Sequence, residues 1–168
     1  MKIRVGYGYD VHRLVENRDL WLGGIKIDFE FGLLGHSDAD VLIHAICDAM
    51  LGAANLRDIG YHFPDNSEKY HNIDSKLLLR ETTRLIADKG WKVGNIDATV
   101  CAERPKLNPH IAAMKACLSP LIGIDEDDIS IKATTTEKLG FTGRMEGISA
   151  SAVVLIEKAP LLKSDDKV

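Results

Sequence analysis

The sequence lacks the features that mark several other classes of protein. No stretch approaches the ~18 consecutive apolar residues that a membrane-spanning helix needs, so we expect no membrane association. There is no dense run of Lys and Arg, and the net charge is −4, which argues against nucleic acid as a main partner. The three cysteines are an odd number without CxxC spacing and indicate reduced, mostly buried thiols of a cytoplasmic protein.

The residues that are present have the composition of one soluble globular domain. The 168 residues are 45% hydrophobic and 27% charged, which is enough chain to bury a single core. A strand-like run begins at Ile3, so we expect neither a signal peptide nor a transit peptide. The mild negative charge does not exclude an anionic ligand, because a local positive group or metal dominates the field near it.

Hydrophobic periodicity predicts five strands and three helices, in the order β-β-α-α-β-α-β-β. The strands are predicted at 3–15, 20–28, 92–103, 129–136 and 148–157, and the helices at 39–53, at 75–89 and from 108 onward, with a loop at 56–66. We therefore expect an α+β fold in which helices pack on one face of a mixed sheet. The domain would span residues 1–158, and a charged tail at 159–168 would be disordered.

Local signals define the helix ends. Ser37 and Asp40 have the spacing of a capping box before the first helix. Gly90 is a stop signal after the second. Asn108-Pro109 suits the start of the third, with Asn at the cap and Pro in the first turn.

Asp10 and His12 are two residues apart on the first predicted strand. Both side chains therefore leave the same face, which is how a strand offers a carboxylate and an imidazole to one metal ion. Hydrogen bonding of purely structural purpose produces the same spacing. The pair alone does not decide between these roles.

A polar stripe runs along the first predicted helix. Asp40, His44 and Asp48 stand four residues apart among residues that are nearly all apolar, which predicts a buried helix. Buried charges are costly unless they are paired or bound to metal. One interpretation is a self-contained Asp-His-Asp hydrogen-bond ladder. The other makes His44 a third metal ligand, oriented by Asp40 or Asp48, because two histidines and one carboxylate with an open fourth position form a catalytic zinc pattern.

His36 and Ser37 precede this helix and suit an anionic ligand. The free N–H groups and positive dipole end of a helix N-terminus favour phosphate. Ser37 also suits a simple capping role, and the two roles are compatible.

A second anion-binding segment is predicted where a strand ends. Thr134-Thr135-Thr136 offers three hydroxyls and is followed by Glu137, a carboxylate that suits Mg²⁺. Arg144, further along, suits either another anion or a pair with Glu146. Phe141 lies between them as an apolar loop residue and is a candidate for a subunit interface.

Several stretches of the chain closely resemble the methylerythritol cyclodiphosphate synthase family. They are GYGYDVHRL (6–14), GLLGHSDADVLIHAICDAMLGAANLRDIGYHFPD (32–65), ATTTEKLGFTGR (133–144) and, for the family's nucleotide pocket, AERPKLNPHI (102–111). The resemblance spans residues 3–158. It implies a lyase of the non-mevalonate isoprenoid pathway that converts 4-diphosphocytidyl-2-C-methyl-D-erythritol 2-phosphate to 2-C-methyl-D-erythritol 2,4-cyclodiphosphate and CMP.

The same resemblance implies roles for individual residues. Zn²⁺, or another divalent ion, would be bound by Asp10, His12 and His44, and Glu137 would hold Mg²⁺ or Mn²⁺ with the diphosphate. His36 and Thr135 would stabilise the transition state. The methylerythritol phosphate end would be bound by Ser37, Asp58, Ile59, Gly60, Phe63, Pro64, Asp65, Asn66 and Ser67. The cytosine pocket and diphosphate would be bound by Ala102, Lys106, Leu107, Asn108, Thr134 and Thr136.

Members of this family are trimers whose active sites lie between subunits, so the resemblance implies a homotrimer assembled around the sheets. Phe141 and Arg144 would face the three-fold axis, where family members can hold an isoprenoid diphosphate. Two departures from the family pattern are visible. Met145 stands where glycine is usual, and Asn66-Ser67 stands where an acidic residue is usual.

Two other functions fit parts of the pattern. A zinc-dependent phosphohydrolase would use the same ligands with water in the open position and would release inorganic phosphate. A non-catalytic trimer would bind isoprenoid diphosphates on its axis. The second would leave Asp10, His12 and His44 without a purpose.

Overall fold

A five-stranded mixed sheet organises the fold. The computed structural model describes residues 2–64, 70 and 72–159. The sheet strands are β1 (Ile3–Glu16), β4 (Phe31–Leu34), β5 (Trp91–Cys101), β6 (Ile129–Thr134) and β7 (Gly147–Lys158). Their order is β4-β1-β7-β5-β6, and every neighbouring pair is antiparallel except β5 and β6, which are parallel.

A two-stranded hairpin lies beside this sheet. It is formed by β2 (Leu20–Leu22) and β3 (Ile25–Ile27), which pair antiparallel. Gly23 and Gly24 make the turn with φ of 62° and 79°, a region that glycine enters without steric cost. The bent strand predicted at 20–28 is therefore two strands.

Three longer helices cover one face of the sheet. They are α1 (Val41–Ala54), α3 (Ser75–Asp88) and α4 (Ile111–Ile122); the short helices are α2 (Ile59–His62) and α5 (Gly140–Gly143). Helix α1 packs on β1 and β7, α3 on α1 and β5, and α4 on α3 and β6. The residues of β7 that face them, Ile148, Ala150, Ala152, Val154 and Ile156, are all buried. The α+β fold with one helix-covered face is confirmed.

The opposite face of the sheet is apolar and open in the single chain. Val5, Tyr7, Tyr9 and Val11 alternate along β1 with the residues that face α1, and each is between 44% and 64% exposed. Val153, which pairs with Tyr7, is 42% exposed. A contiguous apolar surface of this kind marks an interaction site in a water-soluble protein.

Four details of the predicted elements are corrected. Helix α1 begins at Val41, and its N-cap is Asp40, whose side chain accepts from the Ile43 N–H; Ala39, with φ of 59°, is not helical. Strand β4 and helix α2 were not predicted, because each is too short to show periodicity. Asn108 is not a cap but the first residue of a 3₁₀ turn, Asn108–His110, that leads into α4.

The prediction that the cysteines are reduced and mostly buried is confirmed in part. All three cysteines are free, but only Cys47 is buried, while Cys101 and Cys117 are half-buried. Burial raises the pKa of Cys47 to about 12, so this thiol is unreactive at neutral pH.

Among the described residues, no helix combines the length and apolar character needed to cross a membrane. Residues 160–168 lie outside the described residues, and the domain boundary at 158 stays a prediction.

Close approach of β1 and α1 depends on two glycines. A Cβ at Gly6 would lie 1.9 Å from the Ala49 carbonyl oxygen, and one at Gly8 would lie 2.0 Å from that of Ala45. Both distances are far inside van der Waals contact, and the atoms met are backbone atoms that cannot turn aside. Any side chain at these positions would push the helix away from the strand.

We therefore expect Gly8→Ala to lower the free energy of unfolding by about 1–3 kcal/mol or more, as overpacking in a dense core does. Urea denaturation measures this. Gly52→Ala is the matched control, because a Cβ at Gly52 meets nothing within 4 Å and this residue is exposed on α1. The control should gain about 0.5–1 kcal/mol from the better helix propensity of alanine. A Gly8→Ala variant with the wild-type urea midpoint would show that the close approach imposes no constraint.

Candidate active site

Asp10, His12 and His44 bring three ligand atoms together at the end of the sheet. His12 Nε2 is 2.9 Å from Asp10 Oδ2, His44 Nδ1 is 3.0 Å from the same oxygen, and the two nitrogens are 3.1 Å apart. The strand presents the first two side chains on its inner face, and α1 presents the third. All three predicted ligands therefore converge.

The spacing of these atoms fits a divalent metal. A tetrahedral ion with bonds of about 2.0–2.1 Å holds its ligands roughly 3.3 Å apart, which the three atoms match within a few tenths of an ångström. Two imidazoles and one carboxylate are a donor set that suits Zn²⁺ and leaves a fourth position for a ligand.

The tautomer of His12 follows from one hydrogen bond. Its Nδ1 lies 2.9 Å from the Leu34 carbonyl oxygen, which can only accept, so Nδ1 carries a proton. In the neutral ring Nε2 then presents its lone pair to Asp10 and His44. Strand β4, which supplies the carbonyl, thereby orients a metal ligand on β1.

In the metal-free protein, attraction between the Asp10 carboxylate and the two imidazoles shifts the pKa values of Asp10 and His12. Burial works to raise the pKa of Asp10, but hydrogen bonds from His12 and His44 outweigh it and hold that pKa well below its usual range. Burial works to lower the pKa of His12, but the hydrogen bond and charge of Asp10 raise it above the ordinary value. Below that raised pKa a proton is held where the metal would bind, and it is released as the pH rises.

The carboxylates of the two acidic residues of the α1 stripe form their hydrogen bonds with groups other than the His44 ring. Asp40 is fully buried and accepts from the N–H groups of Gly23, Gly24 and Ile43, at 2.6 to 3.0 Å. Asp48 accepts from the Ile59 N–H at 2.7 Å. The self-contained ladder is therefore not formed, and neither carboxylate orients the His44 ring. Asp40 instead ties the β2–β3 turn to the start of α1, and Asp48 ties the first residue of α2 to the middle of α1.

A pocket of about 420 Å³ opens beside the three ligands. Its lining includes His12 and His44 together with predicted residues His36, Ser37, Ile59, Gly60 and Phe63, and with Gly35, Tyr70, Ile73 and Leu78. Asp58 caps α2 by accepting from the Tyr61 N–H, and Pro64 is half-buried next to Phe63. Asp65, Asn66 and Ser67 lie outside the described residues.

A second pocket, of about 400 Å³, collects the residues predicted for the nucleotide. It is lined by Ala102, Lys106, Leu107, Asn108, Thr134 and Thr135, together with Pro105, Pro109 and Ala133. The Arg104–Pro105 peptide bond is cis, and β5 and β6 end side by side at this pocket. The structure thus joins two segments that are about 30 residues apart in sequence.

The threonine run divides into different environments. Thr135 Oγ1 donates to Glu137 Oε1 at 3.1 Å, which couples the predicted catalytic hydroxyl to the predicted carboxylate ligand. Thr136 Oγ1 lies 2.6 Å from the Leu139 carbonyl and 2.8 Å from Thr142 Oγ1. Its hydroxyl therefore holds α5 in place, and its contact with substrate stays a prediction.

A wider cavity, of about 820 Å³, adjoins the second pocket. It brings Arg104, Lys106, Lys138 and Arg144 together with Phe29 and Met145. Arg144 forms the ion pair with Glu146 that the sequence allowed, at 2.8 Å. Phe141 lies in α5 and not in a loop. Met145 has a φ of 58°, which explains why glycine suits this position.

The two pockets lie on different strands of the same sheet end. Thr134 pairs with Cys101, Cys101 with Ser149, and Ser149 with Val11, which lies between Asp10 and His12. Three strand spacings separate the threonines from the metal ligands, roughly 14 Å. Within one chain, the metal pocket and the nucleotide pocket are thus distinct.

The sequence matches the model of the YgbB family over residues 3–157. The chain belongs to the YgbB family. Among its relatives, the 2-C-methyl-D-erythritol 2,4-cyclodiphosphate synthase of Parabacteroides distasonis is 73% identical over 158 residues, which are 94% of this chain and 98% of that protein.

Solved structures of YgbB-like chains share this fold. An IspF structure from Plasmodium falciparum in complex with CDP is 37% identical, with a TM-score of 0.82 over 94% of this chain and 97% of that one. The bifunctional IspDF of Campylobacter jejuni is 43% identical, with a TM-score of 0.90 over 94% of this chain. This chain spans only 42% of that longer protein. Neither a phosphohydrolase nor a non-catalytic binding protein finds support among these relatives.

We expect His12→Ala and His44→Ala to abolish tight zinc binding, because each removes one of three ligands whose atoms lie within about 3 Å of one another. Elemental analysis after dialysis measures the bound metal, and circular dichroism checks the fold. His110→Ala, in the 3₁₀ turn before α4, is the control and should keep its zinc. Stoichiometric zinc in either ligand variant would contradict the assignment of the metal centre.

Proposed function

We propose that the chain cyclises 4-diphosphocytidyl-2-C-methyl-D-erythritol 2-phosphate to 2-C-methyl-D-erythritol 2,4-cyclodiphosphate and releases CMP. The observation that supports it best is the convergence of Asp10, His12 and His44 beside a pocket lined by His36 and Ser37. An imidazole and a hydroxyl that can bind phosphate beside a candidate metal centre suit phosphoryl transfer, which depends on positioning and charge neutralisation. The name of the 73% identical relative agrees with this reaction.

The reaction needs positioning more than covalent chemistry. An oxygen of the 2-phosphate attacks the β-phosphorus, the new P–O bond closes the ring, and the P–O bond to CMP breaks. The nucleophile is already an anion, so no general base is needed. Zn²⁺ bound by Asp10, His12 and His44 would act as a Lewis acid and polarise the β-phosphate. A Mg²⁺ or Mn²⁺ ion at Glu137 would neutralise charge on the diphosphate.

Groups of the protein itself would hold and stabilise the reacting phosphates. His36 and Ser37 line the metal pocket and would hold the 2-phosphate near the triad. Thr135 lines the nucleotide pocket and would donate to diphosphate oxygens as they gain charge. The CDP in the Plasmodium falciparum structure supports binding of a cytidine-linked substrate, and the pocket lined by residues of 102–109 and by Thr134-Thr135 would hold it.

We expect each turnover to yield one CMP and one cyclic diphosphate, with no inorganic phosphate. Intramolecular attack is favoured because well-oriented groups reach effective molarities of about 10⁵ M or more. Phosphorus NMR in ¹⁸O-labelled water measures the outcome. Thr135→Ala and His36→Ala should each lower turnover about 10²-fold or more without changing the product, because they stabilise charge and do not select the nucleophile. Label in the product, or phosphate accumulating beside CMP, would identify water as the nucleophile and contradict a cyclase.

We also propose a homotrimer in which each active site is shared by two subunits. The roughly 14 Å between the two pockets supports it, because a neighbouring copy can bring its nucleotide pocket to this chain's metal pocket. The apolar outer face of β1, with Val5, Tyr7 and Tyr9, supports burial against another copy. Binding of an isoprenoid diphosphate near Phe141 and Arg144, and a cytoplasmic location, stay predictions.

Mixed trimers test the shared site. His44→Ala disables the metal pocket, and Ala133→Phe fills the nucleotide pocket, so neither variant should be active alone. Equal mixing after reversible dissociation should restore about one quarter of wild-type activity, because random head-to-tail assembly gives that share of sites two intact halves. No recovery in trimers shown by light scattering to be mixed would place each complete site within one chain.

A further inference from the structure

The ring of His44 is held at both of its nitrogens. Nδ1 faces Asp10 and His12, while Nε2 lies 3.0 Å from Ser75 Oγ and 3.2 Å from Ser37 Oγ. Ser75 is the first residue of α3 and is fully buried. Nothing in the pattern of the sequence connected it to the metal centre.

The Ser75 hydroxyl donates its proton to the Asp38 carboxylate. Its Oγ lies 2.5 Å from Asp38 Oδ1, and the Ser75 N–H donates to Asp38 Oδ2 at 2.9 Å. An ionised carboxylate only accepts, so Ser75 gives its single proton to Asp38. The serine oxygen is then left to accept from His44, which requires a proton on His44 Nε2.

A proton on Nε2 leaves the lone pair of Nδ1 in the neutral ring. Nδ1 faces Asp10 Oδ2 and His12 Nε2, at 3.0 and 3.1 Å, where the metal would bind, and its lone pair becomes available when the metal displaces the proton that it shares with Asp10. The carboxylate of Asp38 therefore reaches the metal centre through Ser75 and the imidazole. Such chains of hydrogen bonds fix the tautomer and ring orientation of metal-binding histidines.

We propose that Ser75 and Asp38 are positioning residues that hold His44 in the Nε2–H tautomer and so prepare Nδ1 to bind the metal. The inference rests on the proposed metal centre at Asp10, His12 and His44.

The role of His12 provides an internal comparison. The main-chain carbonyl oxygen of Leu34 fixes which nitrogen of His12 carries the proton, as Ser75 and Asp38 do for His44. A carbonyl cannot be removed by substitution, but the serine and the aspartate can. The two histidines also use opposite nitrogens, Nε2 and Nδ1, so the tautomer of each one can be assigned separately.

The test is the affinity for Zn²⁺ together with the tautomer of His44. Ser75→Ala should weaken zinc binding about 10- to 100-fold, as loss of such outer hydrogen bonds does. Competition with a chromophoric chelator measures the affinity. Long-range ¹H–¹⁵N NMR of the metal-free protein should show a proton on His44 Nε2 in the wild type and a loss of that proton in Ser75→Ala.

Three further variants make the result specific. Thr82→Val removes another fully buried hydroxyl from α3 and should leave zinc affinity unchanged. Ser75→Thr retains the hydroxyl and should restore most of the affinity. Asp38→Asn should weaken zinc binding by itself, and the double variant with Ser75→Ala should be no weaker than Ser75→Ala alone, because both act through one chain of hydrogen bonds.

Several results would overturn the proposal. Wild-type zinc affinity in folded Ser75→Ala would do so, as would weakened affinity with an unchanged His44 tautomer, since that would indicate a merely structural effect. If Ser75→Ala does not fold, the same two measurements on Asp38→Asn decide. The cyclic product is assayed separately, so the positioning role can fail while the proposed reaction stands.

Discussion

The contact between β1 and α1 is the constraint on which the site depends. Gly6 and Gly8 let the helix backbone lie directly on the strand, and no other residue fits there because the facing atoms include two carbonyl oxygens and two amide nitrogens of α1. This contact sets the distance from His44 on the helix to Asp10 and His12 on the strand. A core-packing feature therefore determines the geometry of the metal ligands.

Groups outside these two elements complete the centre by restricting where protons lie. The Leu34 carbonyl on β4 requires a proton on His12 Nδ1, and the hydrogen bonds through Ser75 on α3 require one on His44 Nε2. Asp40, one of the two candidate orienters that stand four residues from His44, instead anchors the β2–β3 turn. The metal centre thus draws on four elements of the chain, and its electrostatic order is already present in the metal-free protein.

The separation of the two pockets and the apolar outer face of the sheet are consistent with each other. The residues predicted for the phosphate end and those predicted for the nucleotide end lie at one end of the sheet but three strands apart. An apolar outer sheet face accompanies this separation. Both features suit a protein whose complete site forms between copies, because burying that face would bring one pocket next to the complementary pocket of a neighbour.

The sequence by itself determined the main elements and indicated Asp10, His12 and His44 as candidate metal ligands. Strand and helix periods are local properties, and the two-residue spacing of Asp10 and His12 already placed both on one face. The α+β class and the resemblance to a known family followed from the same local patterns. The predicted roles of Asp40 as an orienter and Ser37 as a cap did not survive, because spacing shows which side chains share a face but not which donors they meet.

Only the tertiary structure decided which side chains and carbonyl groups form hydrogen bonds with one another. Ser75 and His44 are 31 residues apart, and His12 and Leu34 are 22 apart, so no local pattern could pair them. The short strand β4 and helix α2 carry too few residues for a period, yet β4 supplies the carbonyl that orients His12 and α2 lines the pocket beside the candidate metal ligands. The reason is general: a hydrogen bond depends on distance and direction in space, and these are set by the packing of whole elements and not by neighbours along the chain.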